Sequence, residues 1–298
     1  MRPDVFIEEV IEKCDVLKRA GLWPSDSILR PRLWLQNFDE SDRFTAALLL
    51  DKFTFYNIAL TEALLTAAYN SIADGMEKGP AAPGREILVG SLASAALTPV
   101  RGEEPNPTDS GNTMCRMARQ VLRVPETQIV EIDVALAHAY RGNTVVFIDD
   151  FVGSGDQFLK TWRRTYPNSG SFASAHAKTG FVAIYITLVS TDVGLREIHR
   201  IVPEVAVCVC HTIESESTIH GMVDGNQTLQ DDVAAFLRKY SPRLTPAQPY
   251  IANSPKYLMY GYKELGLFFG FQHSIPDATL PVFWSPGTNN WEPLIERR

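Results

Sequence analysis

Val145-Val-Phe-Ile-Asp-Asp-Phe-Val-Gly-Ser-Gly-Asp-Gln157 is the stretch on which the fold turns. Four apolar, mostly β-branched residues lead into two adjacent carboxylates, Asp149 and Asp150, and then a turn bracketed by Gly153 and Gly155. A short unbroken apolar run suits a strand buried on both faces, as in a parallel sheet. The glycines allow a sharp turn and bring backbone N–H groups close to a ligand. Phe158, Leu159 and Trp162 follow at helical spacing, so the turn delivers the chain to a helix N-terminus, where amide donors and the helix dipole favour an anion. Acids at the C-terminal end of a strand beside an anion cradle suit a sugar phosphate, with carboxylates for ribose hydroxyls or Mg²⁺ and amides for phosphate.

Outward from this stretch, further apolar runs at residues 87–89, Phe181 to Val189 and Val205 to Cys210 read as buried strands. Between the last two, Asp192 to Arg200 is an amphipathic helix stopped by Pro203. Strands alternating with helices of this length predict an α/β fold with a parallel sheet, whose ligands sit outside the C-terminal strand ends. Gln128 to Asp133 reads as one more short strand, and Met114 to Arg123 as a helix placing Arg116, Arg119 and Arg123 on one face, either solvated or turned to a phosphate. Arg101 to Asn112, polar with two prolines, is a loop. Residues 1–80 form a helical N-terminal cap: Pro3 to Arg19 is amphipathic, and Ser41 to Phe55 and Ile58 to Ile72 read as two helices broken near Asn57. Residues 81–298 are the core, with an irregular aromatic extension from about 241. A helix running to about Tyr240 opens on a capping box, Thr228-Leu-Gln-Asp231.

The 298 residues are 45% hydrophobic and 21% charged, ordinary for a globular chain, and the net charge of −7 argues against a surface built to coat nucleic acid. No apolar run is long enough to span a bilayer, and the first twenty residues are charged and helical rather than signal-like, so a cytoplasmic protein is expected. Cys14, Cys115, Cys208 and Cys210 show no metal-ligand spacing and read as reduced thiols, with Cys208 and Cys210 packed on one strand face. The six histidines form no close pair, which leaves zinc chemistry little support. His211, just after a strand, is the one to place near a substrate base, against the commoner reading of a structural histidine.

The opening stretch resembles the ribose-phosphate loop of the type I phosphoribosyltransferases, where an apolar strand ends in two acids followed by a Thr/Ser-Gly loop. The resemblance implies that Asp149 and Asp150 contact ribose hydroxyls, one of them through Mg²⁺. It implies too that Gly153, Ser154, Gly155, Asp156 and Gln157 hold the 5-phosphate of phosphoribosyl pyrophosphate (PRPP). It places Gly90 and Ser91, in the small-residue stretch after the 87–89 run, in the pyrophosphate loop, although a tight turn before a packed helix reads equally well there. Arg101 is the one basic residue in the place of that family's mobile lid. The aromatic tail (Gly261-Tyr262, His273, Leu280-Pro-Val-Phe-Trp284, Trp291-Glu-Pro-Leu294) and the early Trp34-x-x-Asn37-Phe38 look like the phosphoribosyltransferase-like branch of bacterial conflict systems, including retron cassettes.

Two functions follow from that resemblance. One is a Mg²⁺-dependent enzyme that makes or breaks an N-glycosidic bond at ribose-5-phosphate, in PRPP or a nucleotide, as an anti-phage effector partnered by a reverse transcriptase and non-coding RNA. The other is a nucleotide-sensing or scaffolding module without turnover. The loop departs from the family pattern at Asp156, usually a small residue, and at Gln157, usually Thr or Ser. A carboxylate in the cradle would repel a phosphate dianion. Asp156 therefore either caps the following helix, leaving the Gln157 amide as a donor, or marks a site that holds a different ligand.

Overall fold

The computed structural model describes residues 2–73, 79–102, 110–167, 169–245 and 254–297. Among them are six strands: β1 (Thr54–Tyr56), β2 (Ala96–Pro99), β3 (Val145–Val152), β4 (Ala183–Thr191), β5 (Ala206–Ile213) and β6 (Phe269–Phe271). The chain divides into two compact units, Thr61–Ile213 on one hand and Met1–Leu60 with Glu214–Arg298 on the other. The sequence reading drew a single boundary near residue 80 instead.

The first unit carries a four-stranded, wholly parallel sheet in the order β2-β3-β4-β5. Val145 and Phe147 of β3 and Tyr185 of β4 share one face by the two-residue repeat of a strand. The helices Ile132–Tyr140, Asp156–Arg163, Phe172–Thr179 and Asp192–Ile201 cover that face. Phe158, two residues into its helix, stacks on Tyr185 at 4.4 Å and meets Phe147 edge-on at 5.5 Å. Each such aromatic is worth roughly 1.5–3 kcal/mol by burial, with up to about 1.5 kcal/mol more from ring geometry. This packing fixes the helix Asp156–Arg163 against the strand that precedes it. The helix Ser110–Val121 packs on β2 and β3 from outside that cluster.

Beyond β2 the chain makes a single parallel bridge, Leu97 to Ile129, with the Val130 amide donating to the Leu97 carbonyl. From β2 the path therefore goes outward to Ile129 and then returns across β2 to β3. The order reverses between β2 and β3, and connections that leave a reversal on opposite sides open a crevice at the C-terminal strand ends.

Several sequence expectations are corrected. Residues 87–89 lie in a helix, Arg85–Ser91, and the first strand of the sheet is Ala96–Pro99. Three apolar residues are too few to separate the two periods, and Thr98 and Pro99 disguise the real strand. Gln128 to Asp133 supplies one bridge instead of a strand. Thr54–Tyr56, read as the end of a helix, is a strand paired in parallel with β6, because a partner 215 residues away supplies its ladder. The capping box at Thr228 is overruled by Asn226, two residues earlier, whose Oδ1 accepts from the Leu229 amide. Cys208 is buried but Cys210 is exposed, where β5 outruns its cover. The helix at 114–123 is Ser110–Val121, and Arg123 follows it with φ 60°.

In the second unit, the helices Pro3–Arg19, Arg43–Lys52 and Gln227–Tyr240 share one core with the aromatic tail. Trp34 stacks on Phe283 at 5.2 Å and donates its indole N–H to the Val282 carbonyl at 2.8 Å. Phe38 meets Trp34, Phe236, Tyr240 and Trp291. The tail is thus core for the N-terminal helices. No helix among the described residues is long and apolar enough to cross a membrane.

Candidate functional site

β3 continues two residues past the acids, to Val152, whereas its pairing with β2 stops at Ile148. The Val100 amide donates to the Ile148 carbonyl at 3.0 Å and closes that ladder. Asp149 therefore stands where β2 has ended but β4 still pairs, opposite Thr187. This is the C-terminal edge, at the reversal of strand order. Asp149 is 1% exposed and Asp150 5%.

Burying two neighbouring acids is costly unless one keeps its proton. Burial first, and the Asp150 charge second, push the Asp149 carboxyl well above the usual carboxylate range. Ser110, the first residue of its helix, donates to Asp149 Oδ1 at 3.0 Å, and the Asp150 amide donates to the same oxygen at 3.0 Å. These two bonds stabilise the charged form without outweighing burial. The pair thus sits in the electrostatic situation that a divalent cation would relieve. Mg²⁺ takes one or two carboxylates and completes its shell with water and substrate oxygens, so the donor set fits it. Asp149 and Asp150 are the residues that would hold it. Among the described residues no group of three or more His, Cys, Asp or Glu side chains gathers at metal-binding distance, which leaves the rest of that shell to water and ligand.

The turn after β3 is held from behind. Gly155 has φ 84°, and a Cβ on it would stand 3.1 Å from the Gly194 carbonyl oxygen. Thr191 Oγ1 donates to the Gly153 carbonyl at 2.5 Å and accepts from the Gly194 amide at 2.9 Å, capping the helix Asp192–Ile201. A Cβ on Gly194 would meet the Gly153 oxygen at 2.2 Å. The turn's carbonyl side is therefore packed on this helix. On the other side, the amides of Gly153, Ser154, Gly155 and Gln157 find no acceptor among the described residues, at the mouth of an eight-residue helix. Such an arrangement offers donors and a positive helix end to an anion.

Asp156 does not cap this helix. Gly155 occupies the N-cap position, Asp156 is the first helical residue, and its amide reaches Ser154 Oγ at 3.4 Å. Glu197 is held below the usual carboxylate range by its bond to Arg200, and it also feels the Asp156 charge, which places Asp156 toward the helix Asp192–Ile201. Ser154 and Gln157 are half-buried in the turn.

Gly90 and Ser91 are not brought to this edge of the sheet. They end the helix Arg85–Ser91, ahead of β2 and so at its N-terminal side, and Ser91 Oγ donates to the Leu88 carbonyl. Arg101, just past β2, pairs with Glu131, and its carbonyl accepts from Thr161 Oγ1 at 3.3 Å. The remainder of the expected lid, residues 103–109, lies outside the described residues. His211 is exposed on the outer strand β5, and what burial it has holds its pKa below the usual value.

Sequence reasoning missed Ser110, Thr191 and Gly194. Thr191 was findable as an N-cap before Asp192, but nothing local reveals that Gly194 must admit a carbonyl from another loop.

A family model described as PRTase-CE matches residues 31–297. Comparison with curated proteins finds no match.

Proposed function

This chain belongs to the PRTase-CE family, a phosphoribosyltransferase-like family, and on that premise we propose that it binds a ribose-5-phosphate ligand, PRPP or a nucleotide, at the C-terminal edge of its sheet. There it makes or breaks the N-glycosidic bond at the ribose. One observation carries the reading: two carboxyls almost wholly out of water stand at the reversal of a parallel sheet, directly before a turn with unspent amides.

Asp149 and Asp150 accept the ribose hydroxyls and orient the ring. The amides from Gly153 to Gln157 take the phosphate and fix the other end of the sugar. As the leaving group departs, positive charge grows on the ribose, and an ionised carboxylate of the pair, already desolvated beside it, stabilises that charge without reorganising. Mg²⁺, when bound by the same two acids, supplies charge neutralisation for the pyrophosphate or phosphate oxygens.

The test is calorimetry with PRPP and with nucleotides, with and without Mg²⁺, on the wild-type chain and on the double variant Asp149→Asn, Asp150→Asn. Circular dichroism run alongside should show the fold intact. Binding that survives in the double variant would reduce the pair to a structural feature.

A second reading, a nucleotide-sensing module without turnover, is favoured by the burial of the same acids, which pushes the Asp149 carboxyl above the usual carboxylate range. Binding without release of base or pyrophosphate would select it. The reading extends to an anti-phage setting with a reverse transcriptase and non-coding RNA. Co-purification with the products of neighbouring genes tests that part separately.

A further inference from the structure

The helix Ser110–Val121 packs on β2 and β3, with Gly111, Met114, Cys115 and Ala118 buried at helical spacing along it. Its first turn comes unusually close to the sheet. A Cβ on Gly111 would stand 2.7 Å from the Val100 carbonyl oxygen and 2.9 Å from Pro99 Cβ. Glycine thus lets the start of the helix lie directly on the end of β2, and the residue before it arrives at Asp149.

Ser110 Oγ donates to Asp149 Oδ1 at 3.0 Å, and the Asp150 amide donates to the same oxygen at 3.0 Å. A carboxyl oxygen has two lone pairs, so these two bonds fill Oδ1 and leave Oδ2 for a further partner. The amide belongs to the next residue of the same strand. Among the described residues, Ser110 is therefore the one hydrogen-bond donor that ties this carboxyl to another element. The last torsion of an aspartate is broad and roughly two-fold, so a bond to the adjacent amide alone leaves the carboxyl plane free to turn. A second bond, from a helix anchored by its buried face, stops that rotation.

We propose that Ser110 is a positioning residue for the sheet-edge site: with the Asp150 amide it fills Asp149 Oδ1, fixes the carboxyl plane and leaves Oδ2 as the oxygen that Asp149 presents to the ribose. This rests on the reading of that edge as a ribose-5-phosphate site. Ser110 itself touches no ligand; it acts through Asp149, by keeping the acceptor aimed before the sugar arrives.

The experiment is calorimetry with PRPP on the full chain, comparing wild type with Ser110→Ala, Ser110→Thr and Thr113→Ala, and with urea midpoints and circular dichroism measured alongside. Alanine suits the first turn of a helix, so the fold should persist in Ser110→Ala. Its PRPP binding should weaken about tenfold, a fraction of the hundredfold that a misplacement near 1 Å can cost. Ser110→Thr keeps the hydroxyl and should bind as wild type does. Thr113→Ala removes an exposed hydroxyl from the same turn and should change nothing. A wild-type chain that binds no PRPP would overturn the sheet-edge reading and this inference together. Wild-type binding matched by Ser110→Ala would overturn the positioning role alone. So would Ser110→Thr binding as weakly as Ser110→Ala, or a loss of affinity equally present in Thr113→Ala, since the Ser110 hydroxyl would then not be the cause.

Discussion

Gly194→Ala should destabilise the protein, reversing the usual effect of replacing a helical glycine. Gly194 is the third residue of the helix Asp192–Ile201, where alanine would ordinarily be better by about 0.5–1 kcal/mol. Here the new Cβ would stand 2.2 Å from the Gly153 oxygen and 2.8 Å from Val152 Cγ1. Real Cβ atoms keep at least 3.0 Å, so helix and turn must part by no less than 0.8 Å. Overpacking of that kind costs about 1–3 kcal/mol, and after the helical gain a net loss centred on about 1 kcal/mol, and at most about 2.5 kcal/mol, remains. The displacement also strains the bond from Thr191 to the Gly153 carbonyl and shifts the amide donors of the turn, where a misplacement near 1 Å can cost up to about a hundredfold in function. The assay is urea unfolding followed by circular dichroism, paired with calorimetry for PRPP. Gly90→Ala is the control: it lies in the helix Arg85–Ser91 with nothing within 4 Å of its Cβ, and should stabilise by about 0.5–1 kcal/mol. A Gly194→Ala protein as stable as wild type, with ligand binding unchanged, would refute the claim that this helix supports the turn.

Other outcomes follow from the same geometry. In metal-free protein, the folded state holds the Asp149 proton to higher pH than the unfolded chain does. Its contribution is therefore fully present below the ordinary carboxylate range and is lost as pH rises through the raised value, by at most about 1.4 kcal/mol per pH unit. Asp149→Asn cannot ionise and should remove that decline; urea midpoints of both proteins between about pH 5 and pH 8 check it, and parallel curves would contradict it. Asp156→Ala should cost about 0.3–1 kcal/mol through the lost charge at the helix N-terminus and leave PRPP affinity little changed, because Asp156 lies toward the helix Asp192–Ile201; a large gain in affinity by calorimetry would mean that this carboxylate bears on the cradle after all. Asn226→Ala should lower stability by about 1 kcal/mol and Thr228→Ala by a few tenths, read from thermal unfolding, since Asn226 caps the helix Gln227–Tyr240.

The parallel α/β core was legible in the sequence because its signals are local and strong. Val145 to Ile148, Phe181 to Val189 and Val205 to Cys210 are unbroken apolar runs of the kind that only a doubly covered strand tolerates, and each lies within an observed strand or overlaps it closely. The acids, the glycine turn and a helix after it were readable for the same reason, although the helix was expected to begin at Phe158 and begins at Asp156. The helix Pro3–Arg19 was legible from its stripe alone.

Tertiary structure decided whatever depends on a distant partner. Thr54–Tyr56 is a strand because Phe269–Phe271 lies beside it, and no property of three residues foretells that. Ala96–Pro99 takes the place in the sheet that residues 87–89 were expected to fill, because the register with Val145 to Ile148 supplies the ladder that β-propensity does not. That exchange also decides which loop reaches the C-terminal edge, and so removes Gly90 and Ser91 from it. The N-cap at Gly155 instead of Asp156 is set by close packing against Gly194, and the raised pKa of Asp149 by burial that the sequence does not express. Local sequence names the chemical groups; the long-range pairing of strands and the exclusion of water settle where those groups stand and in which direction their pKa values move.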